Sequence, residues 1–236
     1  MSKQLFIKTF GCQMNEHDTE KIAGVMSGMG YSLTNSPDNA DMIILNTCSV
    51  REKAEHKCYS DLGRIHELKK ANPDLIIGVG GCVAQQEGIN IVKKAPYVDL
   101  VFGTDNIADI PGLLEKKGKT SNGRVSTVRR KTKYLSNVSD VTTVTTIKRS
   151  HTVKAGVSIV DGCDKFCTFC VVPFTRGRER SRQPDDICKE VSGLAANGYK
   201  EVTLLGQNVD AYGKDLGGVT CLADLLRMIS DIHGIE

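Results

Sequence analysis

No stretch of this chain approaches the roughly 20 consecutive apolar residues of a membrane-spanning helix. Its first residues, Met1-Ser2-Lys3-Gln4-Leu5, lack the apolar core of a signal peptide. Both absences point to the cytosol and away from a membrane. Net charge is only +3, too little to argue for a polyanionic partner by itself. The remaining composition is ordinary. The 236 residues are 40% apolar and 25% charged, enough for one large domain or two small ones. Collagen, disorder and a disulfide miniprotein are thereby excluded.

Nine cysteines stand out against this background. In a reducing compartment they are rarely disulfides, and metal binding or catalysis becomes the better explanation. An odd count also fits a complete disulfide framework poorly.

Charge is unevenly spread. Residues 1–115 carry a net −4, residues 116–154 a net +10 and residues 155–236 a net −3. The basic segment is also rich in Ser, Thr, Gly and Asn. It reads as a linker holding one or two short strands, over 124–128 and 141–147. Two roles stand open for it, a solvated connector or a basic strip that meets RNA.

From residue 1 to about 115, short apolar runs alternate with helical periods. Strands are expected at Leu5–Phe10, Asp41–Asn46, Leu75–Val79 and Val98–Phe102. Ile22, Val25, Met26 and Met29 mark one helix face, and Ala54, Cys58, Leu62 and Ile65 a second. Further helices are expected over about 84–94 and 107–117. Strands alternating with helices imply a parallel sheet covered on both faces.

Cys12, Cys48 and Cys82 follow the first three of these strands, at intervals of 36 and 34 residues. Each falls between a strand's carboxyl end and the next helix. Those loops share one edge of an open parallel sheet, where ligands bind. Helix N-termini also stabilise thiolates, the metal-binding form, and Ser49-Val50-Arg51-Glu52 has capping-box spacing directly after Cys48. One such cysteine would be read as a small buried residue. Three at the same point of three successive units read as ligands. A closed zinc site would need a fourth ligand, for which His17 and His56 are candidates. An iron–sulfur cluster with one iron left open suits three thiols better.

The second domain opens with a strand over 155–160 and then Cys163-Asp-Lys-Phe-Cys167-Thr-Phe-Cys170. Three thiolates within eight residues can hold three corners of a [4Fe–4S] cube. Helix, strand and helix follow, over about 187–195, 201–205 and 222–229. Cys58, Cys188 and Cys221 lack ligand spacing and read as packing or surface residues. His66, His151 and His233 read the same way. Arg176, Arg178, Arg180 and Arg182 sit just past the second motif, either ion-paired or facing phosphate.

The Cys163-x-x-x-Cys167-x-x-Cys170 motif, with Phe169 before its last cysteine, resembles that of the radical SAM enzymes. The first domain resembles the N-terminal domain of the methylthiotransferases, and within them the MiaB-type tRNA branch. The matching segments are Lys8-Thr-Phe-Gly-Cys-Gln-Met-Asn15, Leu45-Asn-Thr-Cys-Ser-Val-Arg-Glu-Lys53, Gly78-Val-Gly-Gly-Cys-Val-Ala84, Cys170-Val-Val-Pro-Phe-Thr-Arg-Gly-Arg178 and Leu205-Gly-Gln-Asn-Val209. The resemblance implies an α/β chain in three parts. Residues 1–117 would form the parallel-sheet methylthiotransferase domain and 118–152 a basic linker. Residues 153–236 would begin a radical SAM partial (β/α) barrel. Family members usually continue with further strand–helix units and a small RNA-binding domain, so the resemblance marks the chain as a fragment or truncated product.

The implied function is transfer of a methylthio group to C2 of N6-isopentenyladenosine beside the tRNA anticodon. Two [4Fe–4S] clusters and S-adenosyl-L-methionine would be the cofactors. Cys163, Cys167 and Cys170 would hold the cluster that cleaves S-adenosylmethionine. Cys12, Cys48 and Cys82 would hold an auxiliary cluster that carries the sulfur. Phe169, Gly206, Gln207 and Asn208 would approach the S-adenosylmethionine. Partners would be tRNA and electron- and sulfur-donor proteins, with the chain itself a monomer. Gly11-Cys-Gln-Met-Asn15 departs from the Gly-Cys-Pro-Lys-Asn typical of the paralogue that modifies a ribosomal protein. The threonylcarbamoyladenosine paralogue, with Gly-Cys-Lys-Val-Asn, stays a closer competitor. A non-catalytic iron–sulfur protein is the third reading.

Overall fold

A computed structural model of the chain describes residues 2–49, 52–115, 124–126, 147–217 and 220–236. The chain divides into two compact units, Met1–Lys148 and Arg149–Glu236.

In the first unit, β1 (Lys3–Thr9), β2 (Tyr31–Leu33), β3 (Met42–Thr47), β4 (Ile76–Gly81), β5 (Leu100–Phe102) and β6 (Arg124–Ser126) form one sheet. The order is β2-β1-β3-β4-β5-β6, and every pairing is parallel. Four strands were expected before residue 115 and a short one over 124–128; the strand not expected is the three-residue edge Tyr31–Leu33. Arg124–Ser126 falls inside the basic segment and pairs with β5. Residues 116–123 and 127–146, most of that segment, lie outside the described residues. So do most of the expected strand over 141–147 and the centre of the Ser49–Glu52 capping box.

Helices cover both faces. α1 (Gln13–Gly28) and α5 (Ile110–Glu115) pack with Leu5, Met42, Ile44 and Phe102. On the opposite face lie α2 (Glu52–Ala71), α3 (Cys82–Glu87) and α4 (Ile89–Lys94), with Ile43, Leu45, Ile77 and Val79. Alternate residues of β3 thus feed two separate cores, as a strand buried on both faces requires. A single helix over 84–94 was expected. Gly88 breaks it instead, at φ 52°, ψ −121°, a conformation no α-helix contains. The apolar spacing runs on through Ile91 and Val92, so the break was invisible to periodicity.

In the second unit β7 (Lys154–Asp161) pairs parallel with β9 (Glu201–Gly206) and antiparallel with β8 (Arg180–Ser181). α6 (Val172–Thr175) is a single turn within the cysteine-bearing loop. α7 (Pro184–Ala196) starts with Pro184 in its first turn and has Asp185 and Asp186 near its N-terminus. Both choices suit a helix start. α8 (Leu222–Ser230) is capped by Cys221. Val157, Ile159, Val160, Ile187, Val191 and Leu225 build the core. Among the described residues no helix is long and apolar enough to cross a membrane.

Candidate metal centres

Cys12, Cys48 and Cys82 sit at the carboxyl ends of β1, β3 and β4. These three strands are neighbours in the sheet, although β2 intervenes in sequence. The chain order reverses at the β1/β3 pair, the switch point beyond whose strand ends open α/β sheets bind ligands. The first two loops touch. A Cβ placed on Gly11 would run into Cys48 Cβ and lie 2.7 Å from its Sγ. Cys48 and Cys82 are buried and Cys12 is exposed.

The three thiols share an edge without forming a single-ion cage. Among the described residues no group of three or more His, Cys, Asp or Glu side chains could hold a metal ion. Around a cubane the thiolates bind separate irons, so they stand further apart than the ligands of one ion. Thiol donors without a carboxylate or imidazole among them suit an iron–sulfur cluster. His56 is exposed on α2. His17 is buried on α1, with Nδ1 4.0 Å from Glu20 Oε2.

The second set lies on one loop. Cys163 is buried, Cys167 exposed and Cys170 half-buried. The loop is closed at its neck. Cys163 N–H donates to Gly177 O (3.0 Å) and Cys170 N–H to Cys167 O (2.9 Å). Asp164 and Glu179 each accept the other's backbone N–H at 3.3 Å, and Arg178 Nη1 reaches Asp164 Oδ2 at 3.4 Å. Phe166 holds φ 46°, the left-handed region rarely adopted by a bulky residue. Three sulfurs at this spacing, on a loop closed by its own hydrogen bonds, fit three corners of a cube.

Gly206, Gln207 and Asn208 stand at the end of β9 beside this loop. Gly162 N–H donates to Gln207 Oε1 at 2.5 Å, and Asn208 Nδ2 to Glu179 Oε1 at 3.2 Å. A Cβ on Gly206 would run into Val160. The trio therefore buttresses the cysteine loop. Gln207 Nε2 is buried without a hydrogen-bond partner, leaving a donor for a bound group. Phe169 is 94% exposed and packs into no core.

Arg176, Arg178 and Arg182 of the arginine run are ion-paired, and Arg180 reaches a backbone carbonyl. Arg176 Nη1 lies 3.6 Å from Asp161 Oδ1, and Arg182 Nη1 2.8 Å from Glu190 Oε2. Arg178 joins Asp164 as above, and Arg180 Nη2 reaches Arg176 O at 3.4 Å. The structure favours loop support over phosphate contact for these four residues. His66 stacks on Tyr97, with ring centres 3.9 Å apart.

The other cysteines take bland roles. Cys58 is buried in the core beneath α2. Cys188 packs against the second core, and burial pushes its thiol pKa up. Cys221 Sγ donates to Asp224 Oδ2 at 3.0 Å as part of the α8 cap. Replacing each by Ala is expected to leave iron content unchanged. Cys58→Ala should cost stability on the order of 1 kcal/mol through the cavity it leaves. A drop in iron in any of the three would move that residue into the ligand set.

Comparison with known proteins places the chain in a class. Residues 4–103 match the family model described as "Uncharacterized protein family UPF0004". Residues 157–232 match the "Radical SAM superfamily" model. The structure is similar to the radical S-adenosylmethionine methyltransferase TsrM from Kitasatospora setae, with a TM-score of 0.54, 12% identity, and coverage of 96% of this chain and 50% of that one. At that identity the likeness concerns the fold alone.

The chain joins a UPF0004 region to a radical SAM region. It is 49% identical to a protein named tRNA-2-methylthio-N(6)-dimethylallyladenosine synthase from Bacillus subtilis, over 98% of this chain and 44% of that protein. A protein of the same name from Paraburkholderia xenovorans is 48% identical, over 100% of this chain and 51% of that one. A third, from Thiobacillus denitrificans, is 49% identical over 99% and 52%. The chain thus spans about half the length of these curated relatives.

Proposed function

We propose that this chain carries the two cluster-binding units of a tRNA methylthiotransferase acting on C2 of N6-isopentenyladenosine, in the cytoplasm. The observation that carries this reading is the pair of thiol sets: three at the ends of neighbouring parallel strands, three on one closed loop. The names of the relatives support the substrate. Cys163, Cys167 and Cys170 would hold a [4Fe–4S] cluster that binds S-adenosylmethionine. Cys12, Cys48 and Cys82 would hold a second. When bound, these groups supply the reductive cleavage of S-adenosylmethionine and the sulfur. The chain's own part is to hold thiolates in place and to aim donors at the cofactor. Gln207 Nε2 and the exposed Phe169 ring are the groups nearest that task. An electron donor and a sulfur donor complete the set of partners.

Anaerobic reconstitution with iron and sulfide counts tests the reading. About eight irons per chain are expected for two cubanes, with an EPR signal that changes on adding S-adenosylmethionine. Stoichiometric zinc in protein purified without oxygen would defeat it. An unchanged EPR signal would favour an iron–sulfur carrier instead. Product assays on tRNA bearing isopentenyladenosine or threonylcarbamoyladenosine, and on ribosomal protein, separate the substrate alternatives.

The basic segment supports tRNA binding, since its net +10 offers cations to phosphates. Neutralising Arg129, Arg130, Lys131 and Lys133 together should flatten the slope of log affinity against log salt by up to about 3. An unchanged slope would return the segment to a solvated connector.

A further inference from the structure

Asn46 and Thr47 interrupt an otherwise apolar strand, Met42-Ile-Ile-Leu45, and both are buried. Buried polar side chains are retained where their hydrogen bonds do something. Here those bonds run between the three cysteine loops. Asn15, fully buried three residues after Cys12, donates from Nδ2 to Thr47 O at 2.8 Å, on the peptide that joins Thr47 to Cys48. Thr47 Oγ1 in turn donates to Gly80 O at 2.5 Å, two residues before Cys82. The first loop is thus tied to the second, and the second to the third.

The Asn15 end of this chain of bonds is itself fixed. Asn15 Oδ1 lies 3.7 Å from Cys12 Sγ, and Asn15 N–H donates to Cys12 O at 2.9 Å. Asn46 Nδ2 donates to Asn15 O (2.8 Å) and to Thr19 Oγ1 (2.9 Å), and Thr9 and Thr19 share a hydroxyl hydrogen bond at 2.7 Å. Asn15 therefore cannot turn without breaking its bonds to β3.

We propose that Asn15 and Thr47 are positioning residues for the first thiol set, fixing the spacing of Cys12, Cys48 and Cys82 by linking their loops. The proposal rests on the reading of these thiols as cluster ligands. Neither side chain touches iron in this role. Each acts through the backbone that carries a ligand. Partners of this kind orient metal ligands, and losing one typically weakens metal binding 10- to 100-fold.

The test uses the full chain with Cys163, Cys167 and Cys170 changed to Ala, so that iron reports on the first set alone. Into this background go Thr47→Val, which removes the hydroxyl at nearly equal volume, Thr47→Ser, which restores it, and Asn15→Ala. Each protein is reconstituted anaerobically with iron and sulfide. Iron release to a chelator is timed, and the EPR spectrum of the reduced cluster is recorded. Thr47→Val and Asn15→Ala are expected to release iron on the order of 10-fold faster, with an altered line shape. Thr47→Ser should match the parent in both. A general loss of packing would not be repaired by the smaller Ser.

Parent-like release and spectra in Thr47→Val and Asn15→Ala would overturn the proposal. So would equal impairment of Thr47→Val and Thr47→Ser, since the hydroxyl would then not be the operative group. If Thr47→Val does not fold, Asn15→Ala decides alone, and release at the parent rate overturns the proposal. A parent that takes up no iron would instead defeat the reading of Cys12, Cys48 and Cys82 as ligands, and the proposal with it.

Discussion

Changing Cys163, Cys167 and Cys170 together to Ala is expected to leave about half the iron of the anaerobically reconstituted chain. The reason is structural independence. These thiols sit on the loop after β7, within the unit Arg149–Glu236. The other three close strands of the sheet in Met1–Lys148. That sheet has its own cores on both faces, built among the described residues by residues of the first unit. Its fold therefore does not depend on the second set of thiols. The surviving iron should also lose its EPR response to S-adenosylmethionine. Complete loss of iron in the triple variant would falsify the assignment of two separate sites. Full retention would remove Cys163, Cys167 and Cys170 from the ligand set.

Much of this arrangement was legible in the sequence. Three cysteines at the same phase of a strand–helix repeat share a sheet edge once the strands are parallel, and that inference needs only chain geometry. The sequence order did not reveal that β2 is an edge, which makes β1, β3 and β4 direct neighbours. A three-residue strand such as Tyr31–Leu33 has too few residues for alternation to show. The short strand expected over 124–128 was legible, but not that it pairs with β5 as an edge of the same sheet.

Asn15 and Thr47 were missed for a different reason. A search for ligands looks at cysteines, and these residues act on the backbone between them. A signal was present all the same, because Asn46-Thr47 places two polar residues inside a strand buried over its whole length. The buttressing by Gln207 and Asn208 was likewise out of reach, since their partners Gly162 and Glu179 lie 45 and 29 residues away. The arginine run stayed open between ion pairing and phosphate contact because its acidic partners, Asp161, Asp164 and Glu190, had no assigned positions.

Gly162→Ala is expected to cost the chain its second cluster. Gly162 holds φ +86°, and its carbon sits against the far end of the cysteine loop. A Cβ there would run into Arg178 O and stand 2.5 Å from Gly177 O, backbone atoms that cannot swing aside as a flexible side chain would. The left-handed conformation alone costs Ala roughly 1–2 kcal/mol. Relief of the clash requires the neck of the loop to open. That breaks the Cys163 N–H bond to Gly177 O and the Gly162 N–H bond to Gln207 Oε1. Cys163 would then move away from Cys167 and Cys170, and iron should fall to about half, as in the triple cysteine variant. Gly193→Ala is the matched control. Gly193 lies inside α7 with nothing within 4 Å of its added carbon, so it should stabilise the helix by about 0.5–1 kcal/mol and leave iron untouched. Iron counts and thermal melts of the two variants, side by side, make the comparison. Full iron in Gly162→Ala would mean that the closed neck is not needed to hold the cluster.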